Sequence, residues 1–142
     1  MSKINESSYR QLIGLWKTSG EVRLGTTTVP LNGTDSYELI LDGSCILHKA
    51  NVSIGSERSE TFEIITTLPE GKIKMQYANS KGESGVMIGN LADKRFTIDG
   101  DGIKFDGQID DGCTVIVGNW YLQSNNNDWD QFIVLKLEKI LA

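Results

Sequence analysis

From Trp16 onward, apolar and polar side chains alternate along most of the chain in short segments. Such alternation places successive side chains on opposite faces, which is typical of half-buried β-strands. The segments centre on residues 16–24, 37–41, 46–52, 62–66, 73–77, 86–88, 96–98, 103–109, 115–122 and 132–137. Polar, glycine-bearing turns such as Asp42-Gly43 separate them, as hairpins require.

No helical pattern lies between the predicted strands, so we expect each strand to pair antiparallel with its neighbours in sequence. A twisted sheet of about ten strands tends to close on itself, because closure removes its unpaired edges. The sequence therefore predicts an all-β fold, an up-and-down antiparallel β-barrel of about ten strands. We expect residues 1–142 to form a single domain.

A helical pattern precedes the first strand. Its apolar positions follow the spacing i, i+3, i+4 and i+7, at Tyr9, Leu12, Ile13 and Trp16. Asn5 is the predicted N-cap and Gly14 the predicted end of the helix. A helix of about two turns is marginal alone, so we expect it to dock on the barrel and close one end.

The last two predicted strands are apolar on both faces. We assign Val115, Val117 and Tyr121 to the interior of the barrel. The opposite face then presents an apolar outer patch, formed by Ile116, Trp120, Leu122, Phe132 and Val134. A monomer seldom leaves such a patch in water, so we predict that the N-terminal helix covers part of it and a symmetric homodimer the rest.

The same parity argument puts many polar side chains on the inner face, namely Thr18, Tyr37, His48, Thr66, Met75, Tyr77, Asn119, Tyr121 and Gln131, with only Met75 apolar. Buried polar groups must be hydrogen-bonded, either to one another across the barrel or to the contents of a cavity. We predict a cavity that binds a small apolar or amphipathic molecule. The candidate ligand-binding residues are Tyr37, His48, Met75, Tyr77, Phe105, Asn119, Tyr121 and Gln131.

His48 is the only histidine, which limits the chemistry available. A metal site of several imidazoles is excluded. Parity places Glu38 and Glu63 outside, so no carboxylate pair shares the interior. Non-catalytic binding is therefore favoured. One alternative is an isomerase, cyclase or hydrolase in which His48 exchanges protons with Tyr37 or Tyr77; another is a homodimeric interaction protein without a ligand.

The aspartates between Asp99 and Asp111 suggest a calcium loop at first sight. Ile103 and Phe105 interrupt the run with core-type side chains, so the spacing does not fit, and we interpret the aspartates as turn residues. Neither a metal nor a cofactor is predicted.

The net charge of -5 and the pI near 4.8 disfavour nucleic-acid binding. No apolar run approaches the roughly 20 residues of a membrane span, and the first residues lack the apolar core of a signal peptide. We therefore expect a cytoplasmic protein. Cys45 and Cys113 lack metal-type spacing and are predicted to be reduced packing thiols.

Gly14-Leu15-Trp16, preceded by a helix and followed by a meander, resembles the calycin superfamily, the lipocalins and their relatives. The segment from Ser36 to Gly43 and a late tryptophan-containing strand are similar to a lipocalin-like family of bacterial proteins. The resemblance implies that Trp16, with Gly14, forms the barrel floor beneath a basic side chain, here Lys136 or Lys139. Fatty-acid-binding proteins are also similar, but residues 25–33 are too few and too polar for their helical pair.

Overall fold

A computed structural model describes residues 3–141. Its strands are β1 (Gly14–Leu24), β2 (Thr27–Ile40), β3 (Cys45–Ile54), β4 (Glu57–Thr67), β5 (Lys72–Asn79), β6 (Ser84–Ala92), β7 (Arg95–Asp99), β8 (Ile103–Ile109), β9 (Val115–Gln123) and β10 (Trp129–Lys139). Each strand pairs antiparallel with its neighbours in sequence, and β10 pairs with β1 to close the barrel. The predicted all-β, up-and-down barrel of ten strands is confirmed.

The N-terminal segment forms two short 3₁₀ helices, Ile4–Glu6 and Ser8–Leu12, instead of the predicted single helix capped by Asn5. Ser7 interrupts the helical path, because its backbone is extended with φ -108° and ψ 176°. The Ser7 hydroxyl accepts a hydrogen bond from the Tyr9 N–H and so caps the second helix. The segment is too short for a stable α-helical nucleus, and tertiary packing decides its form.

These helices close one end of the barrel. Ile4, Tyr9, Leu12 and Trp16 are all buried there. The Trp16 indole N–H donates to the Leu12 carbonyl oxygen at 2.8 Å, which ties β1 to the second helix. Lys139 Nζ lies 4.8 Å from the centre of the Trp16 ring, within cation–π distance. Trp16 is thus enclosed at the barrel floor beneath a basic side chain.

The parity assigned to the last two strands is wrong in part. Ile116 and Trp120 on β9 line the interior, whereas Val117 is 48% exposed. On β10 the outward placement of Val134 agrees with its exposure of 48%, but Phe132 lines the interior because a bulge shifts the register between Gln131 and Ile133. Strands that are apolar on both faces do not reveal their inner face by pattern alone.

A cross-strand glycine pair explains which side chains of β8 and β9 face the interior of the barrel. Gly107 lies directly opposite Gly118. A Cβ atom on either would lie 2.7 or 2.5 Å from the Phe105 ring, closer than side chains tolerate. Only glycines leave room for this inward ring, whose centroid is 5.2 Å from that of Trp120. The inward ring of Phe105 therefore places Trp120 inside as well.

The predicted apolar outer patch does not exist as a continuous surface, because three of its five members face the barrel interior. The homodimer inferred from it loses that support and stays a prediction. Among residues 3–141, no helix has the length and apolarity needed to cross a membrane.

Candidate functional site

The barrel encloses a cavity of about 430 Å³. Most of its wall is apolar or aromatic, including Met75, Met87, Phe105, Trp120 and Leu135. This volume lies within the range of about 300–1,000 Å³ typical of small-molecule sites. A cavity with such walls and a few polar groups has the ordinary composition of a ligand pocket.

A charged cluster stands at the inner end of the cavity. His48 Nε2 lies 2.6 Å from Asp35 Oδ2, and His48 Nδ1 lies 2.8 Å from Glu63 Oε1. Glu63 is 3% exposed and Asp35 8% exposed. An imidazole with a carboxylate at each nitrogen can donate to both only when it carries two protons. The geometry therefore favours an imidazolium held between two carboxylates.

Two further side chains complete the cluster. The Tyr37 ring stacks on the His48 ring with 4.1 Å between centroids and an angle of 4° between planes. The Thr18 hydroxyl donates a short hydrogen bond to Asp35 Oδ1. Tyr37 and Thr18 are themselves buried. Tyr37 holds the His48 ring from one face, and Thr18 holds the Asp35 oxygen that does not face His48.

Strand register brings these residues together. Tyr37 on β2 lies opposite His48 on β3, and His48 lies opposite Glu63 on β4. Asp35 precedes Tyr37 by two positions, so both point to the same face. Asp35 also lies opposite Trp16, the buried residue of the barrel floor. The cluster therefore lies next to the floor, with the β5–β6 turn at the other end of the cavity.

The surroundings of His48 favour its charged form. Burial by itself lowers the pKa of His48, but hydrogen bonds and Coulombic attraction from Asp35 and Glu63 raise that pKa from 6.5 to about 9. Burial, reinforced by the negative charges of Asp35 and Glu63, raises the pKa of Tyr37 well above its usual value. Near neutral pH the cluster thus holds an imidazolium and a neutral phenol.

The stability of the protein should depend on this proton. Because the folded-state pKa of His48 is raised, the pairing stabilises the fold fully below pH 6.5 and is lost as pH rises through about 9. The free energy of unfolding should fall by about 3 kcal/mol over that window. Denaturant unfolding at several pH values measures this fall in the free energy of unfolding. His48→Leu is the control, because it lacks the group whose protonation causes the pH dependence. A constant unfolding free energy for the wild type would contradict the pairing.

The structure places five of the eight predicted ligand-binding residues in the cavity wall: Tyr37, His48, Met75, Tyr77 and Phe105. Asn119, Tyr121 and Gln131 do not contribute to it. Gln131 Nε2 donates to Asn119 Oδ1 at 3.0 Å, and the Tyr121 ring lies 5.8 Å from Lys104 Nζ. Their inward placement was wrong because β9 has the opposite parity and β10 carries the bulge.

The sequence reasoning missed Asp35 and placed Glu63 outside. On β4 the inner positions are Thr61, Glu63 and Ile65, whereas Phe62 and Ile64 are exposed by 53% and 38%. The predicted inward placement of Thr66 is wrong for the same reason, since it shares the outer face of Phe62 and Ile64. The sequence did contain a signal for the position of Glu63. A two-residue turn at Gly55-Ser56 joins β3 to β4 and fixes the register that places Glu63 opposite His48.

Within the described chain, no group of three or more histidine, cysteine or acidic side chains is arranged to hold a metal ion. In the cluster, each imidazole nitrogen of His48 already faces a carboxylate oxygen, so neither nitrogen is free to bind a metal ion.

No protein-family model and no curated protein matches the sequence. Solved structures do match the fold. The crystal structure of Rv2717c from M. tuberculosis has a TM-score of 0.76 and 8% identity, over 99% of this chain and 99% of that chain. The S-type phycobiliprotein lyase CPES from Guillardia theta has a TM-score of 0.63 and 12% identity, over 99% of this chain and 94% of that one. With the closed barrel, these likenesses fit a lipocalin-like, calycin-type fold.

Proposed function

We propose that this protein binds a small apolar or amphipathic molecule inside its barrel. The observation that carries the proposal is the cavity of about 430 Å³, which combines apolar walls with a buried charged cluster at its inner end. Apolar walls supply affinity through burial, and a few buried polar groups orient the ligand. Kinship with the lipocalin-like bacterial proteins is part of the proposal and is supported by the shared fold and by Gly14-Leu15-Trp16.

This proposal can be tested with a substitution that blocks the cavity without changing the outer surface. Ala50 lines the cavity on β3, whereas Ala78 on β5 is exposed on the outer face, so Ala50→Phe and Ala78→Phe are a matched pair. Nile red, a neutral dye that fluoresces in apolar surroundings, serves as the probe. Wild type and Ala78→Phe should bind it saturably, and a folded Ala50→Phe should not. Equal binding by both variants would place the dye elsewhere, and the absence of saturable binding by wild type would refute the proposal.

A second candidate function is catalysis. It is favoured by the position of His48 in the cavity between two carboxylates, and one solved structure of similar fold is named a lyase. The predicted proton exchange between His48 and Tyr37 has an unsuitable starting geometry, because the rings stack face to face and both imidazole nitrogens are engaged. A reaction would require one carboxylate to release the ring first, so binding is the function that the geometry supports better.

A further inference from the structure

Two polar atoms at the inner end of the cavity have no hydrogen-bond partner among residues 3–141. Glu63 uses Oε1 for His48, which leaves Oε2 free, and the hydroxyl of Tyr37, which also lines the cavity, bonds to no described residue. Both side chains line the cavity and are only 3% and 5% exposed. Among the described residues, Asn5 Oδ1 is the fully enclosed side-chain atom without a partner, so the two oxygens of the cluster are accessible from the cavity. Polar groups inside native proteins are almost always hydrogen-bonded, so water or a ligand in the cavity supplies their partner.

The charge of the cluster indicates what kind of partner fits. An imidazolium between the carboxylates of Asp35 and Glu63 leaves one net negative charge in a buried site. Glu83 adds a solvent-exposed carboxylate at the far end of the cavity, where water screens its charge. Within the described chain, the cavity wall contains neither lysine nor arginine. Charges interact more strongly in such a weakly polar enclosure than in water, so the cavity should attract cations and repel anions.

We propose that the ligand is an amphipathic amine, whose protonated nitrogen donates hydrogen bonds to Glu63 Oε2 and the Tyr37 hydroxyl while its apolar body fills the cavity. This inference rests on the proposed binding function and specifies its ligand class. The positive charge neutralises the cluster, which offsets the cost of removing an ammonium group from water. The aromatic walls at Phe105 and Trp120 favour the apolar body.

Ligands with other polar head groups fit the inner end of the cavity less well than an amine does. A carboxylate or phosphate would need several hydrogen-bond donors, but the cluster offers it only the Tyr37 hydroxyl, because both nitrogens of His48 already donate to protein carboxylates. It would also stand beside Glu63, whose charge repels it. A hydroxyl can donate one hydrogen bond to Glu63 Oε2 but leaves the negative charge of the cluster in place. The expected order of affinity is therefore ammonium, then hydroxyl, then carboxylate.

Three probes with the same apolar chain test this order: decylamine, decan-1-ol and decanoate, each displacing bound Nile red near neutral pH. Decylamine should bind about tenfold more tightly than decan-1-ol, a difference of about 1.4 kcal/mol, and decanoate more weakly still. Equal affinities, or tighter binding of decanoate, would overturn the inference and leave the binding function intact. Failure of Nile red itself to bind would refute the binding function and this inference with it.

Two Glu→Gln variants test which carboxylate causes the preference for the amine probe. Glu63→Gln removes the cavity charge, whereas Glu38→Gln removes a charge from the outer surface, where Glu38 is 3.6 Å from Lys49. The preference for decylamine over decan-1-ol should disappear in Glu63→Gln and persist in Glu38→Gln. Persistence in a folded Glu63→Gln would overturn the assigned contact. If Glu63→Gln does not fold, the wild-type probe order decides alone.

Discussion

Replacing His48 with leucine should lower the free energy of unfolding by about 3–5 kcal/mol, because it leaves Asp35 and Glu63 as buried carboxylates without a cationic partner. The side chains are similar in volume, so the loss reflects charge more than packing. Urea unfolding near neutral pH measures the change. A loss below about 1 kcal/mol would show that the pairs contribute as little as exposed ones do.

The neighbouring position supplies a matched control. Lys49 is on the outer face of the same strand and forms a solvent-exposed ion pair with Glu38 at 3.6 Å. Lys49→Leu also exchanges a cation for leucine, yet it should cost no more than about 1 kcal/mol because water screens the pair. A triple variant with Asp35→Asn, His48→Leu and Glu63→Gln should be more stable than His48→Leu, since it no longer buries unpaired charge.

Trp16→Ala is the second change with a large expected effect. Trp16 is fully buried at the barrel floor, where its indole bonds to the Leu12 carbonyl oxygen and its ring faces Lys139. Truncation removes apolar contacts and leaves a cavity between β1 and the second 3₁₀ helix, so it should cost about 3–5 kcal/mol. The denaturant midpoint should fall without a large change in the slope of the transition.

Trp129 is the control for this variant. Its side chain is 37% exposed, and its ring faces Lys104 Nζ at 4.2 Å. Trp129→Ala loses a surface cation–π contact worth about 0.5–1 kcal/mol and less buried area than Trp16→Ala, so it should cost clearly less than Trp16→Ala. Equal losses for the two tryptophan variants would contradict the assignment of Trp16 to a buried floor.

The architecture was predictable because its signals are local. Alternating side chains define strands, and turns such as Asp42-Gly43 lie between them in the structure as in the pattern. The form of the N-terminal segment was not predictable, since the extended backbone of Ser7 depends on packing against the barrel.

The charged cluster was only partly predictable. Tyr37 and His48 follow from the hairpin around Asp42-Gly43, whose register places them opposite each other. Glu63 did not follow, because β4 has apolar residues at 62, 64 and 65 and its more apolar face points to solvent. A rule that puts apolar residues inside fails where an inner position holds a carboxylate paired with a histidine.

The most direct test of ligand binding in the barrel uses His48, whose imidazole resonances are identifiable by NMR because the chain has one histidine. Titration with decan-1-ol, a neutral probe, should shift these resonances saturably in wild type and in Ala78→Phe, and leave them unchanged in Ala50→Phe. That result would place the molecule in the cavity beside the cluster. Saturable Nile red binding displaced by decan-1-ol, without any shift of the His48 resonances, would contradict a binding site inside the barrel.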